Sequence, residues 1–342
     1  LLINKELMFI SNKKMPKTET EMKLAKIWRC ELEIKDVYRD SDFFILGGTS
    51  LNAVSVFSAV EKEFNKSLTL EILLKISSLE NISDYIDNLG STKKPFNNLV
   101  TLLENEKEKC LYLFHAIGGN PLNYKSLTSS IKEFNVYGLQ ATGVDGKNLR
   151  YRSIEEMTSE YVDLILKHNP SGPYYLAGGS FGGALAHEAA CLLQSKGKEV
   201  RKVIMLDTTA LWLNENLSSV ENNRKSDYGK IKALSYPFMK RFYIFLNKIY
   251  LYFSKPVPHH IRYFLLETLC IIARKKFVPK IFKGNIHLIR LPKRSTGIYS
   301  QDMLGWEEYV DGTITTDIVE GCHNTFIEND SVASLFSTSL LK

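Results

Sequence analysis

The sequence predicts two structural classes in one chain: a small all-α four-helix bundle, followed by an α/β domain with a mostly parallel sheet. In the first part, apolar residues recur at helical spacing. After residue 97, short β-branched and aromatic runs alternate with helical stretches. Between the two parts, residues 90–97 (GSTKKPFN) are polar and contain Gly and Pro, which predicts a linker. We therefore predict domains at 17–89 and 98–342.

The helices of the first domain are marked by caps and by apolar spacing. Thr18 and Glu21 can form a capping box at the start of one helix. A second helix is predicted to begin near residue 50, and a further one at 78–89. Residues 1–16 match neither domain, and we interpret them as the tail of an upstream domain or a linker.

The strands of the second domain are predicted from short apolar runs. These runs are 99–103, 110–114, 136–140, 174–177, 203–206, 286–291 and 316–319. Helical stretches such as 154–167 fall between most of them, as expected where parallel strands are joined by crossovers. The alternation breaks at about 211–283, where aromatic residues at partly helical spacing predict a helical insertion.

The first sequence motif lies at residues 42–51 and reads DFFILGGTSL. Gly47 and Gly48 permit a sharp bend, and Thr49 or Ser50 can cap the helix that follows. We expect Ser50 at an exposed helix N-terminus, where free N–H groups and the helix dipole favour a phosphate group. The four residues Gly-Gly-Thr-Ser alone are also compatible with a simple turn and cap.

The second motif, at residues 178–182, reads GGSFG and lies between a predicted strand and a predicted helix. This context is typical of a nucleophile elbow, which exposes a serine, here Ser180. A serine hydroxyl needs a base and a group that orients the base. Asp207 follows one predicted strand and His323 follows another, in the chain order expected of an α/β-hydrolase.

Two backbone N–H groups are candidates for an oxyanion hole, which stabilises the negative oxygen of a tetrahedral intermediate. One belongs to Phe181, the residue after the predicted nucleophile. The other belongs to Ile117, in the loop 115–119 (HAIGG) that follows an early strand. The alternative for this loop is a glycine turn without a catalytic role.

Residues 17–89 resemble the peptidyl carrier proteins of nonribosomal peptide synthetases, through the motif at 42–51. Residues 97–342 resemble the thioesterase domains that close these assembly lines, through 114–119, 178–183, Asp207 and 321–323. The resemblance implies a covalent 4′-phosphopantetheine on Ser50. It also implies an α/β-hydrolase fold with a helical lid at about 211–283, and Ser180, Asp207 and His323 as the catalytic triad. Thr49 stands where the carrier motif usually has His, and Ala116 where the thioesterase pattern commonly has Pro.

The implied function is terminal release of a peptidyl or acyl chain through an acyl-enzyme on Ser180, by hydrolysis or macrocyclisation. The setting would be nonribosomal peptide biosynthesis, including antibiotics and other secondary metabolites. Implied partners are upstream condensation and adenylation domains, a phosphopantetheinyl transferase and a peptidyl or acyl thioester. Two alternatives remain open: a stand-alone carboxylesterase or lipase, and a carrier module whose hydrolase-fold domain is a non-catalytic docking body.

Charge is distributed unevenly along the chain. Residues 18–89 contain 8 Lys/Arg and 13 Asp/Glu, whereas residues 211–283 contain 14 Lys/Arg and 4 Asp/Glu. The opposite signs predict docking of the carrier on the lid, and a solvated basic surface is the alternative. No nucleic-acid motif and no run long enough to span a membrane is recognisable. Five scattered cysteines give no metal-like pairing and favour a reducing cytoplasm.

Overall fold

The computed structural model describes residues 14–48, 50–66, 68, 70–89, 97–146, 148–211, 244–250, 252, 257, 259–293, 298–323 and 325–341. The chain divides between Asn97 and Asn98 into two units. The finer domain bounds at 1–16, 17–89, 90–97 and 98–342 stay predictions.

The first unit is helical, as predicted. Its helices are α1 (Glu19–Leu32), α2 (Ser50–Phe64), α3 (Leu70–Lys75) and α4 (Leu79–Asn88). Thr18 caps α1, and Glu21 completes the predicted capping box. Helix α1 packs against both α2 and α4. The buried rings of Trp28 and Phe43 meet edge to face at a centroid separation of 5.4 Å, which anchors the loop before α2 to the bundle core.

Glu21 is a fully buried carboxylate at the start of α1. Burial raises its pKa, but the Lys17 N–H, the Arg39 guanidinium and the Thr18 N–H all donate to the carboxylate. These donors outweigh burial and hold the pKa of Glu21 below its ordinary value. The ionised carboxylate therefore joins α1 to the segment that carries Arg39.

We expect Glu21→Gln to lower the free energy of unfolding of the first unit by about 1.5–3 kcal/mol at neutral pH, because a charged acceptor is lost. Because the pKa of Glu21 is lower in the folded state than in the unfolded state, the carboxylate contributes its full stabilisation at any pH above the unfolded-state pKa. That stabilisation is lost as the pH falls through the folded pKa. The free energy of unfolding is measured at several pH values by urea unfolding, monitored through the NMR signals of α1. Glu31→Gln is the control. A difference that persists unchanged in acid would contradict this account.

The described part of the second unit contains a seven-stranded sheet in the order β1-β3-β2-β4-β5-β7-β9. Its strands are β1 (Leu99–Leu103), β2 (Cys110–Phe114), β3 (Asn135–Leu139), β4 (Tyr174–Gly179), β5 (Val200–Leu206), β7 (Ile286–Arg290) and β9 (Ile314–Ile318). Strand β1 pairs antiparallel with β3, and every other neighbouring pair is parallel. The predicted α/β fold with a mostly parallel sheet is confirmed.

Helices cover this sheet and position its loops. They are α5 (Lys125–Thr128), α6 (Ile154–His168), α7 (Phe181–Ser195), α8 (His259–Lys276) and α9 (Asp330–Leu341). Two-residue strands β6 (Phe282–Lys283) and β8 (Val310–Asp311), which the sequence did not predict, pair with each other. Much of the predicted lid at about 211–283 lies outside the described residues, including 212–243. The helical stretch 244–250 and α8 lie within that range. Among the helices described, none is long and apolar enough to cross a membrane.

Candidate active site

Ser180 lies in the sharp turn between β4 and α7. Its backbone adopts φ 52° and ψ −111°, a conformation that is costly for a residue with a Cβ. Its N–H donates to the Leu206 carbonyl at 2.8 Å. A Cβ at Gly178 would lie 2.3 Å from the Gly182 backbone, and one at Gly182 would lie 2.2 Å from the Phe114 carbonyl oxygen. The flanking glycines therefore allow the close packing that holds Ser180 in the elbow.

The His323 ring joins Ser180 to Asp207. Its Nε2 lies 3.1 Å from Ser180 Oγ, and its Nδ1 lies 2.6 Å from Asp207 Oδ2. The Asp207 side chain is 2% exposed and the His323 side chain is 29% exposed. Because Nδ1 faces a carboxylate, it carries the ring proton, and Nε2 is left to accept from the serine hydroxyl. This arrangement can activate a serine for attack on a carbonyl carbon.

Strand β7 orients the Asp207 carboxylate. The Asp207 N–H donates to the Ile289 carbonyl at 2.7 Å, and Asp207 Oδ1 accepts from the Leu291 N–H at 3.3 Å. Asp207 itself has φ 43°, which turns the chain away from the end of β5. One carboxylate oxygen is thus held by the backbone, and the other faces His323.

Two buried side chains that the sequence analysis did not identify support the loops around Asp207. The Arg290 guanidinium donates to four backbone carbonyls, those of Leu291, Tyr299, Gln301 and Asp302. The Trp306 Nε1–H donates to the Thr208 carbonyl at 2.7 Å. Burial lowers the pKa of Arg290. Arg290 stands at the end of β7, and this strand also contains His287, so its charge gave no distinctive sequence signal.

The two predicted oxyanion donors lie on elements next to the elbow. Phe181 is the first residue of α7, where a backbone N–H has no acceptor within the helix. Ile117 lies in the loop after β2, and β2 runs parallel to β4 with Phe114 paired to Gly178. The loop and the elbow therefore leave neighbouring strands at the same edge of the sheet.

Ser50 is the first residue of α2, as predicted. The approach to it bends at Gly47, whose φ is 87°, and a Cβ at Gly48 would lie 2.4 Å from the Phe43 carbonyl oxygen. The first turn of α2 contains no acidic residue. A helix whose first turn contains no carboxylate fits a phosphodiester, because its free N–H groups attract the anion. Thr49 and the side chain of Ser50 lie outside the described residues.

Two family models match this chain. The model of the phosphopantetheine attachment site matches residues 23–86, and that of the thioesterase domain matches residues 109–232. The chain thus contains a match to a phosphopantetheine carrier domain, followed by a match to a thioesterase domain. Homologous proteins are nonribosomal peptide synthetases, so the resemblance drawn from the Ser50 and Ser180 motifs is confirmed. Phosphopantetheine is accordingly the cofactor of the carrier domain.

Two curated relatives illustrate the extent of the similarity. Malpibaldin synthetase of Mortierella alpina is 27% identical over 329 residues, which are 95% of this chain and 6% of that protein. Surfactin synthase subunit 3 of Bacillus subtilis (strain 168) is 32% identical over 193 residues, which are 56% of this chain and 14% of that protein. This chain thus spans a small fraction of the length of either relative.

Solved structures show the same folds. A holo four-domain nonribosomal peptide synthetase bound to AMP and glycine aligns with a TM-score of 0.59 at 24% identity, over 96% of this chain and 26% of that one. The NocB thioesterase domain, in covalent complex with a fluorophosphonate nocardicin G analogue, aligns with a TM-score of 0.52 at 19% identity. That alignment covers 71% of this chain and 97% of the NocB chain. The carrier bundle and the α/β-hydrolase fold are therefore both confirmed.

Proposed function

We propose that this chain releases a peptidyl or acyl chain from its carrier domain through an acyl-enzyme on Ser180. The observation that supports this most is the hydrogen-bonded series Ser180, His323 and Asp207 in a domain that matches thioesterases. A carrier domain on the same chain supplies a source of thioester substrate. Neither a stand-alone esterase nor a non-catalytic docking body accounts for both features.

Ser50 is the residue that we propose for attachment of the cofactor. When bound, 4′-phosphopantetheine supplies a terminal thiol that holds an acyl group as a thioester. The position of Ser50 at the start of α2 supports this role, because the helix N-terminus attracts the phosphodiester. The bend at Gly47 and the packing of Gly48 on Phe43 fix the direction from which the chain enters α2.

In the proposed reaction, Ser180 Oγ attacks the thioester carbonyl carbon while His323 Nε2 takes the hydroxyl proton. A carbon–oxygen bond forms, and the carbonyl oxygen becomes negative. The N–H groups of Ile117 and Phe181 would donate to this oxygen, and Asp207 would stabilise the imidazolium. The carbon–sulfur bond then breaks, and His323 returns the proton to the leaving thiolate. The product is an acyl group on Ser180.

The second half of the reaction removes the acyl group from Ser180. His323 takes a proton from water or from a nucleophile within the acyl chain as that group attacks the ester. The tetrahedral oxygen again faces Ile117 and Phe181, and Ser180 Oγ leaves with the proton from His323. Water gives a free acid, and an internal nucleophile gives a macrocycle.

The proposed function requires the partners that were predicted from the sequence. A phosphopantetheinyl transferase would modify Ser50, and condensation and adenylation domains would supply the peptidyl or acyl chain. The proposed setting is the cytoplasm, where the five free cysteines would stay reduced.

Modification of Ser50 tests the first requirement of this proposal. Incubation with coenzyme A and a broad-specificity phosphopantetheinyl transferase should raise the intact mass of the wild type by one phosphopantetheine group. Ser50→Ala should show no gain, whereas Ser58→Ala, on the same helix, should behave as the wild type. A full gain in Ser50→Ala would assign the cofactor to another residue, and no gain in the wild type would remove the carrier role.

Docking of the acidic carrier domain on the basic lid is part of the same proposal. Its support is the charge balance of residues 18–89 and 211–283, with 13 Asp/Glu against 8 Lys/Arg and 14 Lys/Arg against 4 Asp/Glu. We expect acyl transfer from the carrier to slow as ionic strength rises, because salt screens the attraction. Hydrolysis of a neutral acyl-N-acetylcysteamine thioester is the control and should change little. Equal salt dependence of the two reactions would contradict the docking.

A further inference from the structure

We propose that His115 is a positioning residue for the oxyanion hole. It fixes the direction of the Ile117 N–H by holding the carbonyl of the same peptide group. This inference rests on the proposed function, because it assigns a role within the same reaction. His115 lies just after β2 and is fully buried. Neither of its ring nitrogens is available to act on substrate, since both are occupied inside the domain.

The His115 ring joins two different parts of the thioesterase domain. Its Nδ1 lies 2.7 Å from the Ala116 carbonyl oxygen, and its Nε2 lies 2.7 Å from the Tyr161 hydroxyl on α6. The Ala116 carbonyl also accepts from the Gly119 N–H at 2.9 Å. This carbonyl oxygen therefore has two donors, one from a side chain and one from the backbone.

The partners of the ring determine its tautomer. A carbonyl oxygen can only accept, so His115 Nδ1 carries the proton. Nε2 then accepts from the Tyr161 hydroxyl. Burial lowers the pKa of His115 to about 4, which keeps the ring neutral near pH 7. Burial also raises the pKa of Tyr161 well above its ordinary value, so its hydroxyl keeps the proton that it donates.

One peptide group connects the hydrogen bond of His115 to the oxyanion hole. The Ala116 carbonyl and the Ile117 N–H belong to one planar trans peptide group, so they point in opposite directions. Rotation of this peptide would break the hydrogen bonds from both His115 and Gly119. Within the described ranges, no backbone carbonyl accepts from the Ile117 N–H. The peptide is thus held in one orientation, and no backbone carbonyl of the described residues competes with a substrate oxygen for the Ile117 N–H.

The same ring also contacts the residue that carries the second donor. The His115 and Phe181 rings are stacked, with centroids 5.8 Å apart and planes 27° from parallel. Phe181 is buried and is the first residue of α7. His115 therefore packs between the loop that carries the Ile117 N–H and the helix that carries the Phe181 N–H. An ordinary core histidine would affect stability alone, whereas this arrangement also predicts an effect on catalysis.

The test compares His115→Phe, Tyr161→Phe and His168→Phe with the wild type on an acyl-N-acetylcysteamine thioester. His115→Phe keeps a ring beside Phe181 but removes the donor to Ala116. We expect kcat to fall by about 10- to 100-fold with KM little changed, a part of the ~10²–10³-fold cost of removing one oxyanion donor. Tyr161→Phe retains His115 Nδ1–H and should lose less. His168→Phe, an exposed histidine at the end of α6, should match the wild type.

A second substrate separates positioning from general destabilisation. In the matched dithioester, sulfur replaces the carbonyl oxygen and accepts hydrogen bonds weakly. We expect the wild-type preference for the oxygen substrate to shrink in His115→Phe and to persist in His168→Phe. An unchanged preference in a folded His115→Phe protein, or an unchanged kcat, would make His115 an ordinary core residue.

Nitrogen-15 NMR of histidine in the wild type tests the geometry without activity. We expect the Nδ1–H tautomer for His115 and a pKa about 4, and this readout holds even if His115→Phe does not fold. The Nε2–H tautomer, or titration at the ordinary histidine pKa, would overturn the proposal. Failure of the proposed function can be told apart from failure of this inference. In the first case the wild type would turn over no thioester, although the NMR tautomer of His115 would be the expected one.

Discussion

Replacing Ser180 with alanine is expected to abolish release of the acyl chain while leaving modification of Ser50 intact. No other group is hydrogen-bonded to His323 Nε2 among the described residues, so the attacking oxygen is lost. Loss of the nucleophile of a serine triad costs on the order of 10⁶-fold in kcat. The measurement is the rate of free acid or macrocycle formation from protein loaded with acyl-coenzyme A by a phosphopantetheinyl transferase. The acyl group should remain on the carrier domain of Ser180→Ala.

Ser195→Ala is the matched control for this change. Ser195 is the last residue of α7, and its hydroxyl donates to the Leu192 carbonyl at 2.7 Å. This variant should release product at the wild-type rate. Release by Ser180→Ala at that rate would assign the nucleophile to another residue. A fluorophosphonate probe should also label the wild type and Ser195→Ala, and fail to label Ser180→Ala.

Replacing Asp207 with asparagine is expected to reduce release by about 10⁴-fold, as when a triad loses its orienting acid. In this variant the Leu291 N–H still needs an acceptor, so the amide oxygen of the asparagine would stay beside Leu291. The amide NH₂ would then face His323 Nδ1 and donate to it. That hydrogen bond favours the tautomer with the proton on Nε2, which cannot take the proton of Ser180. The measurement is single-turnover release from the loaded carrier domain.

Asp163→Asn is the control for the charge change. Asp163 lies on the exposed side of α6 and should tolerate the same substitution. Thermal unfolding of both variants separates a catalytic effect from loss of the fold. Near-normal release by a folded Asp207→Asn protein would assign the orienting acid to another residue.

The parallel sheet was predictable because most of its strands contain a short apolar run, although β9 (ITTDI) is mostly polar. The runs at 99–103 and 110–114 have the bounds of β1 and β2. Other ends differ for local reasons. Strand β4 continues through Gly178 and Gly179, which pair with β5 although glycine favours no strand. Strand β5 begins at Val200, earlier than predicted. The prediction missed this end because Arg201 and Lys202 interrupt the apolar run, and Arg201 is exposed.

The proximity of Ser180, Asp207 and His323 was predictable because strand ends of a parallel sheet share one edge. Their distances were not, since they depend on backbone contacts such as that of Leu291 with Asp207. No sequence pattern indicated the hydrogen bonds that Arg290 donates to nearby carbonyls. The same holds for the hydrogen bond between His115 and the Ala116 carbonyl. Such hydrogen bonds depend on chain directions that appear only once the sheet is assembled. The two-residue strands β6 and β8 were missed because two residues show no periodicity.

The most direct test of the central claim follows one acyl group through the chain. Protein carrying a labelled acyl-phosphopantetheine is quenched at short intervals, and its peptides are mapped by mass spectrometry, for the wild type and Ser180→Ala. We predict that the label is found first on the Ser50 peptide and then on the Ser180 peptide of the wild type before product is released. In Ser180→Ala it should stay on Ser50. Release from the wild type with no label ever on Ser180, or loading at a residue other than Ser50, would contradict the account.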